Sequence, residues 1–302
     1  MDSRSFLYTL MAAIPVIVAG FIVWHHQQRT PLENAPALTP VTLISIRPPS
    51  AEALQNIFSS QDYAWPPQDA VPPYAITSLP YGLGTLDRDE KKTVFFRALL
   101  PIVLAENLRI WNQRAFLLEQ FGHGAVDPQS DAGQNLKALA ERYRVEGDLN
   151  NPRTREILLQ RVDVVPVALV LAQAAQESGW GTSRFALEAN NLFGIWTWDE
   201  DEGSTPINRP NDASHFVRIY PDVQTSVRAY LHNINIGFAY ADFRALRARM
   251  RSRGQALDPL ALAGTLDRYS TAGDLYIANI RAMIRSNDLG KLGNLSLAPL
   301  GE

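Results

Sequence analysis

The sequence predicts an α+β fold that is mostly helical, with one small β lobe. Three observations predict it. From Asp87 onward, apolar residues recur at helical spacing in one run after another. Val164 to Ala175 is apolar on every side, as in a helix buried all round, and Gly179 and Gly181 follow it. Residues 182–221 are rich in Asn, Asp, Gly, Pro and aromatics, with one strand-like piece at His215 to Tyr220, which suggests an irregular lobe with a small hairpin.

The elements follow in order. Asp87 or Asp89 can cap a run through FFRALLPIVLAENLRIWNQRAFLLEQF, which Pro101 either kinks or divides and Gly122 and Gly124 stop. Helices are expected at about Asp131–Tyr143 and Arg153–Gln160. Asp163 is expected to cap the apolar helix, with Pro166 in its first turn. Asp222 caps a helix at Val223–Asn235, and others follow at about Ala241–Arg253, Asp258–Asp267 and Gly273–Ser286. No tandem repeat is visible.

The N-terminal part differs. Phe6 to Trp24 is uncharged over 19 residues (FLYTLMAAIPVIVAGFIVW). As a helix it would span roughly 28 Å, close to the hydrocarbon thickness of a bilayer. A cleaved signal peptide is the competing reading, but the stretch ends in Phe-Ile-Val-Trp and no A-x-A pattern follows. The expected organisation is a cytoplasmic leader at 1–5, one transmembrane helix at 6–24, a Pro-rich linker at 25–88 and a folded domain at 89–302. The short leader places the bulk of the chain outside the cytoplasm, anchored in the inner membrane and facing the periplasm or cell wall. Ten of the 20 prolines fall between Pro31 and Pro80, so the linker is expected to be extended, with the alternative that the part around Tyr63 to Tyr81 wraps against the domain to cover its aromatics.

Composition excludes several classes. The chain has 302 residues and no cysteine, which removes thiol nucleophiles, disulfide scaffolds, zinc fingers and iron–sulfur clusters. A net charge of −3 excludes a wholly basic nucleic-acid binder. His25, His26, His123, His215 and His232 show no ligand spacing, so neither metal nor cofactor is expected. Arg244, Arg247, Arg249, Arg251 and Arg253 form a basic row, read either as a solvated helix face or as an attraction for anionic wall peptides or lipid headgroups.

Candidate chemistry centres on Glu177, at the C-terminal end of the most apolar helix. Burial and the negative helix end should both raise its pKa. A carboxylic acid protonated near neutrality suits general-acid cleavage of a glycosidic bond. An ordinary last-turn glutamate facing water is the alternative. Trp180, Phe185 and Phe193 are near enough in sequence to wall it. Asn190 and Asn191, with Phe193, Trp196 and Trp198, are residue types that bind sugars. The Asn pair equally suits a turn, and Phe193 a core position; Trp196 and Trp198 are expected to be exposed. Tyr269 has no role legible from spacing.

AQAAQESGWGTSRFALEANNLFGIW (Ala172–Trp196) resembles the signature of glycoside hydrolase family 73, bacterial β-N-acetylglucosaminidases. Tyr230-Leu-His-Asn233-Ile-Asn235 and Tyr240-Ala-Asp-Phe243-Arg244 resemble the helix that follows it in that family. Arg268-Tyr269-Ser-Thr and Tyr276-Ile resemble its closing tyrosine motif. The helices ahead of the signature resemble the Bax-type subgroup. The resemblance covers about residues 90–290. It implies a lysozyme-like domain that hydrolyses the β-1,4 bond of N-acetylglucosamine in peptidoglycan, with glycan strands as the partner. It also implies Glu177 as general acid, Tyr269 at the reaction centre or the acetamido group, and Trp180, Asn191, Phe193 and Tyr230 shaping the cleft, with Asn190 and Asn233 beside them.

Many members of that family carry a second carboxylate in the β lobe. Asp199, Glu200, Asp201, Glu202 and Asp212 are the acids available, and Glu202 is taken as the candidate. An inverting pair and assistance by the substrate's own acetamido group both remain open. The expected function is therefore a peptidoglycan hydrolase. A lytic transglycosylase, a non-catalytic wall-binding or regulatory protein, and action on other N-acetylglucosamine polymers are the alternatives.

Overall fold

The computed structural model describes residues 41–68, 70–205 and 216–300. The leader, the anchor at 6–24 and linker residues 25–40 lie outside the described residues. Among the described residues, no helix is long and apolar enough to cross a membrane.

The first finding corrects the extended-linker expectation from residue 41 on, while the stretch around Tyr63 to Tyr81 does pack against the domain. Strand β1 (Ile44–Ile46) pairs in parallel with β2 (Tyr74–Ile76), Ile44 opposite Tyr74. Between them, α1 (Ala51–Ser60) is capped by Ser50, whose hydroxyl accepts from the Ala53 amide at 3.1 Å. Ala51, Leu54 and Phe58 recur at helical spacing and are buried. Trp65 stacks on Phe96 at 5.3 Å. The apolar period of α1 is only three residues long and lies among prolines that dominate the surrounding composition.

Helix α2 (Arg88–Gly122) runs unbroken through Pro101 for 35 residues. Asp87 caps it, accepting from the Asp89 and Glu90 amides at 2.9 Å. Leu99, Leu100, Ile102 and Val103, around the proline, are fully buried. At about 1.5–3 kcal/mol each, their burial outweighs the ~3 kcal/mol cost of an interior proline. Helices α3 (Asp131–Arg142) and α4 (Pro152–Arg161) stand where the periodicity puts them.

Helix α5 (Val167–Ser178) is buried along nearly its whole length and packs on α2. Its N-terminal neighbour is Pro166, with no side-chain cap, which corrects the role expected of Asp163. Asp163 is instead a buried hub: Arg251 grips its carboxylate through Nε at 3.1 Å and a terminal nitrogen at 3.0 Å. Both readings of the arginine row fail for Arg244, Arg247 and Arg251. Arg247 is 1% exposed and donates to the Gln160, Asp163 and Val164 carbonyls and to Asn235 Oδ1. Arg244 donates to the Ile234 and Gly237 carbonyls. Loop carbonyls left over at helix ends recruit these guanidiniums, a demand that sequence spacing does not reveal.

After α6 (Arg184–Glu188) comes the β lobe: β3 (Trp196–Thr197), β4 (Gly203–Ser204) and β5 (Phe216–Arg218), antiparallel in the order β3-β5-β4. Three strands replace the expected hairpin. A Cβ on Gly203 would stand 2.3 Å from that of Phe216, so only glycine admits this pairing. Helix α7 (Val223–Ile236) is capped by Asp222, and α8 (Ala241–Ser252) follows. Helix α9 (Pro259–Ala263) is shorter than expected, and α10 (Asp274–Ser286) packs on α5.

Candidate active site

Glu177 occupies the last turn of α5. The helix stops at Gly179 (φ 57°), and Trp180 and Gly181 continue in left-handed conformation. Gly181 is obligatory: a Cβ there would lie 3.0 Å from Leu79 and 3.1 Å from Phe95. The turn is pinned by Ser178, whose hydroxyl donates to the Ala174 carbonyl and accepts from the Gly181 amide at 2.8 Å. Glu177 is thus held at a rigid helix end, partly buried. Burial pushes its carboxyl up to about 7, and a hydrogen bond from Tyr276 opposes that rise.

Four tyrosines surround this carboxyl. Tyr230 (α7), Tyr240, Tyr269 and Tyr276 (α10) all feel its charge. Burial, reinforced by the Glu177 charge, pushes their hydroxyls up, so they remain neutral donors. Tyr230 donates to Gln173 Oε1, and Gln173 Nε2 donates to Tyr276 Oη at 2.9 Å. Tyr276 in turn bonds to Glu177. Gln173 lies four residues before Glu177, one turn back on the same face of α5. The rings pack together: Tyr269 stacks on Tyr276 at 5.2 Å, and Phe193 on Tyr230 at 4.0 Å. Tyr269 donates to the Phe193 carbonyl at 3.4 Å, while Tyr240 bonds to Asn233.

The expected site residues divide into two groups. Tyr269, Tyr230, Phe193 and Asn233 gather around or behind Glu177, with Phe193 and Tyr230 fully buried. Trp180, expected in the cleft, packs edge-on against Phe95 and Phe96 of α2 at 6.0 and 5.2 Å, with Lys92 over its ring. Phe185 carries the Arg184 guanidinium 4.5 Å above its ring. Asn191, expected to reach the sugar, is spent inside the loop. Its amide donates to the Ile195 and Arg218 carbonyls, and its oxygen accepts from the Ile195 amide. Asn190, in left-handed conformation (φ 51°), donates to the Tyr220 carbonyl. The turn reading of the Asn pair therefore prevails. Trp196 is half-buried, while Trp198 is 49% exposed. Glu202 is partly exposed and bound to Arg218 at 2.9 Å across the sheet. Asp199 caps the short turn after it, accepting from the Asp201 amide. Asp212 lies outside the described residues. No second carboxylate of the described residues contributes to the Glu177 shift. Nor do three His, Asp or Glu side chains of the described residues come together in a group that could hold a metal.

Gln173, Tyr240 and Tyr276 were missing from the expected site. Gln173 had a signal in the i, i+4 spacing to Glu177 and the two tyrosines in the motifs that contain them, but only the assembled helices bring all three to the carboxyl.

Comparison with known proteins identifies the family. Residues 154–289 match the glucosaminidase family model, described as mannosyl-glycoprotein endo-beta-N-acetylglucosaminidase. The match contains Gln173, Glu177 and all four tyrosines. The chain is 35% identical over 201 residues to Protein bax of Escherichia coli (strain K12), covering 65% of this chain and 70% of that protein. No solved structure matches. The chain belongs to the glucosaminidase family and carries a Bax-type glucosaminidase domain.

Proposed function

We propose that the protein is a peptidoglycan hydrolase that cleaves the β-1,4 bond of N-acetylglucosamine, with Glu177 as general acid. The observation that carries this reading is a carboxyl raised to about 7 inside a ring of neutral tyrosines. Near neutrality such a group holds a proton and can give it to a glycosidic oxygen. Tyr276 spends its own proton on one Glu177 oxygen and accepts from Gln173, so the acid's proton is left to point at substrate. Tyr269, packed on Tyr276, lines the reaction centre. Trp198 offers an exposed ring for stacking on a pyranose face. The uncharged stretch Phe6–Trp24 supports a membrane anchor in this reading, with the domain on the wall side of the inner membrane.

Because Arg218 occupies the Glu202 carboxylate, the water-activating role falls better to the substrate's own acetamido group than to Glu202. The same observation favours a second reading, a lytic transglycosylase, which needs only one acid.

The test is digestion of purified peptidoglycan by the full chain, wild type beside Glu177→Gln, with reduced fragments analysed by mass spectrometry. Reducing-end N-acetylglucosamine from wild type alone is the expected result. Anhydro-sugar ends would transfer the assignment to the transglycosylase. Fragments from both proteins would remove Glu177 from the mechanism, and fragments from neither would leave a binding protein.

A further inference from the structure

The four tyrosines around Glu177 send their protons to different places. Tyr276 bonds to the Glu177 carboxyl, Tyr230 donates to Gln173 Oε1, and Tyr269 donates to the Phe193 carbonyl at 3.4 Å. Tyr240 feels the Glu177 charge but makes no bond to it. Its bond with Asn233 pulls the phenol pKa down against the rise from burial, the mark of a bond received. The Asn233 amide therefore donates and the Tyr240 oxygen accepts. Among the described residues, no acceptor takes the Tyr240 proton.

The backbone fixes this ring. Tyr240 closes a short turn, Phe238–Tyr240, between α7 and α8. Its amide donates to the Gly237 carbonyl at 3.2 Å, and the buried Arg244 donates to the same carbonyl at 2.7 Å. A Cβ on Gly237 would stand 2.9 and 3.1 Å from Tyr240 ring carbons, so the ring folds back where only glycine leaves room. Asn233 lies three residues after Tyr230, on the same face of α7. The Tyr240 ring stands 6.1 Å from that of Tyr269, which stacks on Tyr276 at 5.2 Å. Tyr240 is 8% exposed, so a bond made there competes with little water. A neutral donor held in place beside the acid suits a carbonyl oxygen of the substrate. In N-acetylglucosamine the acetamido group next to the scissile carbon supplies one.

We propose that Tyr240 is a catalytic residue whose hydroxyl, oriented by Asn233, donates a hydrogen bond to the acetamido carbonyl of the substrate. This rests on the reading of the protein as a glucosaminidase with Glu177 as acid. It moves the acetamido contact from Tyr269, whose hydroxyl is spent on Phe193, to Tyr240. The bond selects N-acetylated sugars, because a protonated 2-amino group offers no acceptor. It also holds in one orientation the group that takes over the role of the second carboxylate.

Binding to the full-length Glu177→Gln chain, measured by calorimetry, tests this without cleavage. The probes are the N-acetylglucosamine tetramer and the glucosamine tetramer with its amines protonated. Adding Tyr240→Phe should weaken the first about 5- to 10-fold and leave the second unchanged. Asn233→Leu should weaken the first by a smaller factor, and it carries the test should Tyr240→Phe not fold. With Glu177 intact, Tyr240→Phe should lower kcat/KM on peptidoglycan about 10-fold while the alkaline limb of the pH profile stays in place, since Tyr240 makes no bond to the acid. Equal weakening with both tetramers, no change with either, or no binding of the N-acetylated tetramer overturns the proposal. Tyr240-dependent binding by a chain that leaves peptidoglycan uncut would overturn the hydrolase reading alone. Cleavage untouched by Tyr240→Phe would overturn this assignment alone.

Discussion

Gln173 and Tyr276 lie 103 residues apart in the chain, yet Gln173 Nε2 donates to Tyr276 Oη at 2.9 Å. This bond fixes the direction of the tyrosine proton. With its oxygen accepting from Gln173, Tyr276 turns its own O–H on Glu177. Tyr230 orients Gln173 from the opposite end by donating to Oε1. The state of the acid thus depends on α7 and α10 meeting at α5.

Tyr276→Phe removes the hydrogen bond that holds the Glu177 carboxyl down. Its pKa should climb above about 7, and the alkaline limb of the pH–rate profile should move to higher pH. The maximal rate should fall about 10- to 100-fold as the acid loses its orientation. A limb that stays in place would show that Tyr276 does not control the acid.

Glu177→Gln should trade activity for stability in a pH-dependent way. The folded pKa of about 7 exceeds the ordinary glutamate value of 4.5, so the folded state binds the proton more tightly than the unfolded chain. Stability from this group is full below about pH 4.5 and declines as pH rises to 7 and beyond. The ionised form costs on the order of 1–3 kcal/mol. The Gln variant should therefore resist urea better than wild type at pH 8 and equally at pH 4.5, while losing about 10²–10⁴-fold in rate.

Two tryptophans should part company. Trp180→Ala removes a ring packed between Phe95, Phe96 and Lys92, and should cost about 3–5 kcal/mol in denaturant unfolding. Trp198→Ala should change stability by less than about 0.5 kcal/mol yet raise KM for glycan, since that ring is exposed. Equal stability losses would contradict these placements.

A chain starting at residue 87 should be far less stable than one starting at 41. Leu54, Phe58, Ile76 and Leu79 are buried, and Trp65 stacks on Phe96. Their removal strips apolar cover from α2. Calorimetry should show a melting midpoint at least about 10 °C lower, or no cooperative transition. Matching midpoints would restore the extended-spacer reading of 41–86.

What sequence alone determined is local in its physics. Asp87 and Asp222 cap the helices that follow them because a carboxylate satisfies amides two or three residues away. Gly179 ends α5 because a left-handed residue is needed there. Glu177 was legible because an all-apolar helix leading into a Gly-Trp-Gly turn has a buried end. What tertiary structure decided is which partners each polar group finds. Asp163 looks like a cap but sits where Arg251 and Arg247 converge from α8. Asn191 looks like a sugar ligand but satisfies backbone of its own loop and of β5. Tyr240 and Tyr276 reach Glu177 because α7, α8 and α10 close around α5, and no spacing along the chain encodes that meeting. Buried polar groups must be satisfied by whatever the packing brings near them, and only the assembled fold specifies what that is.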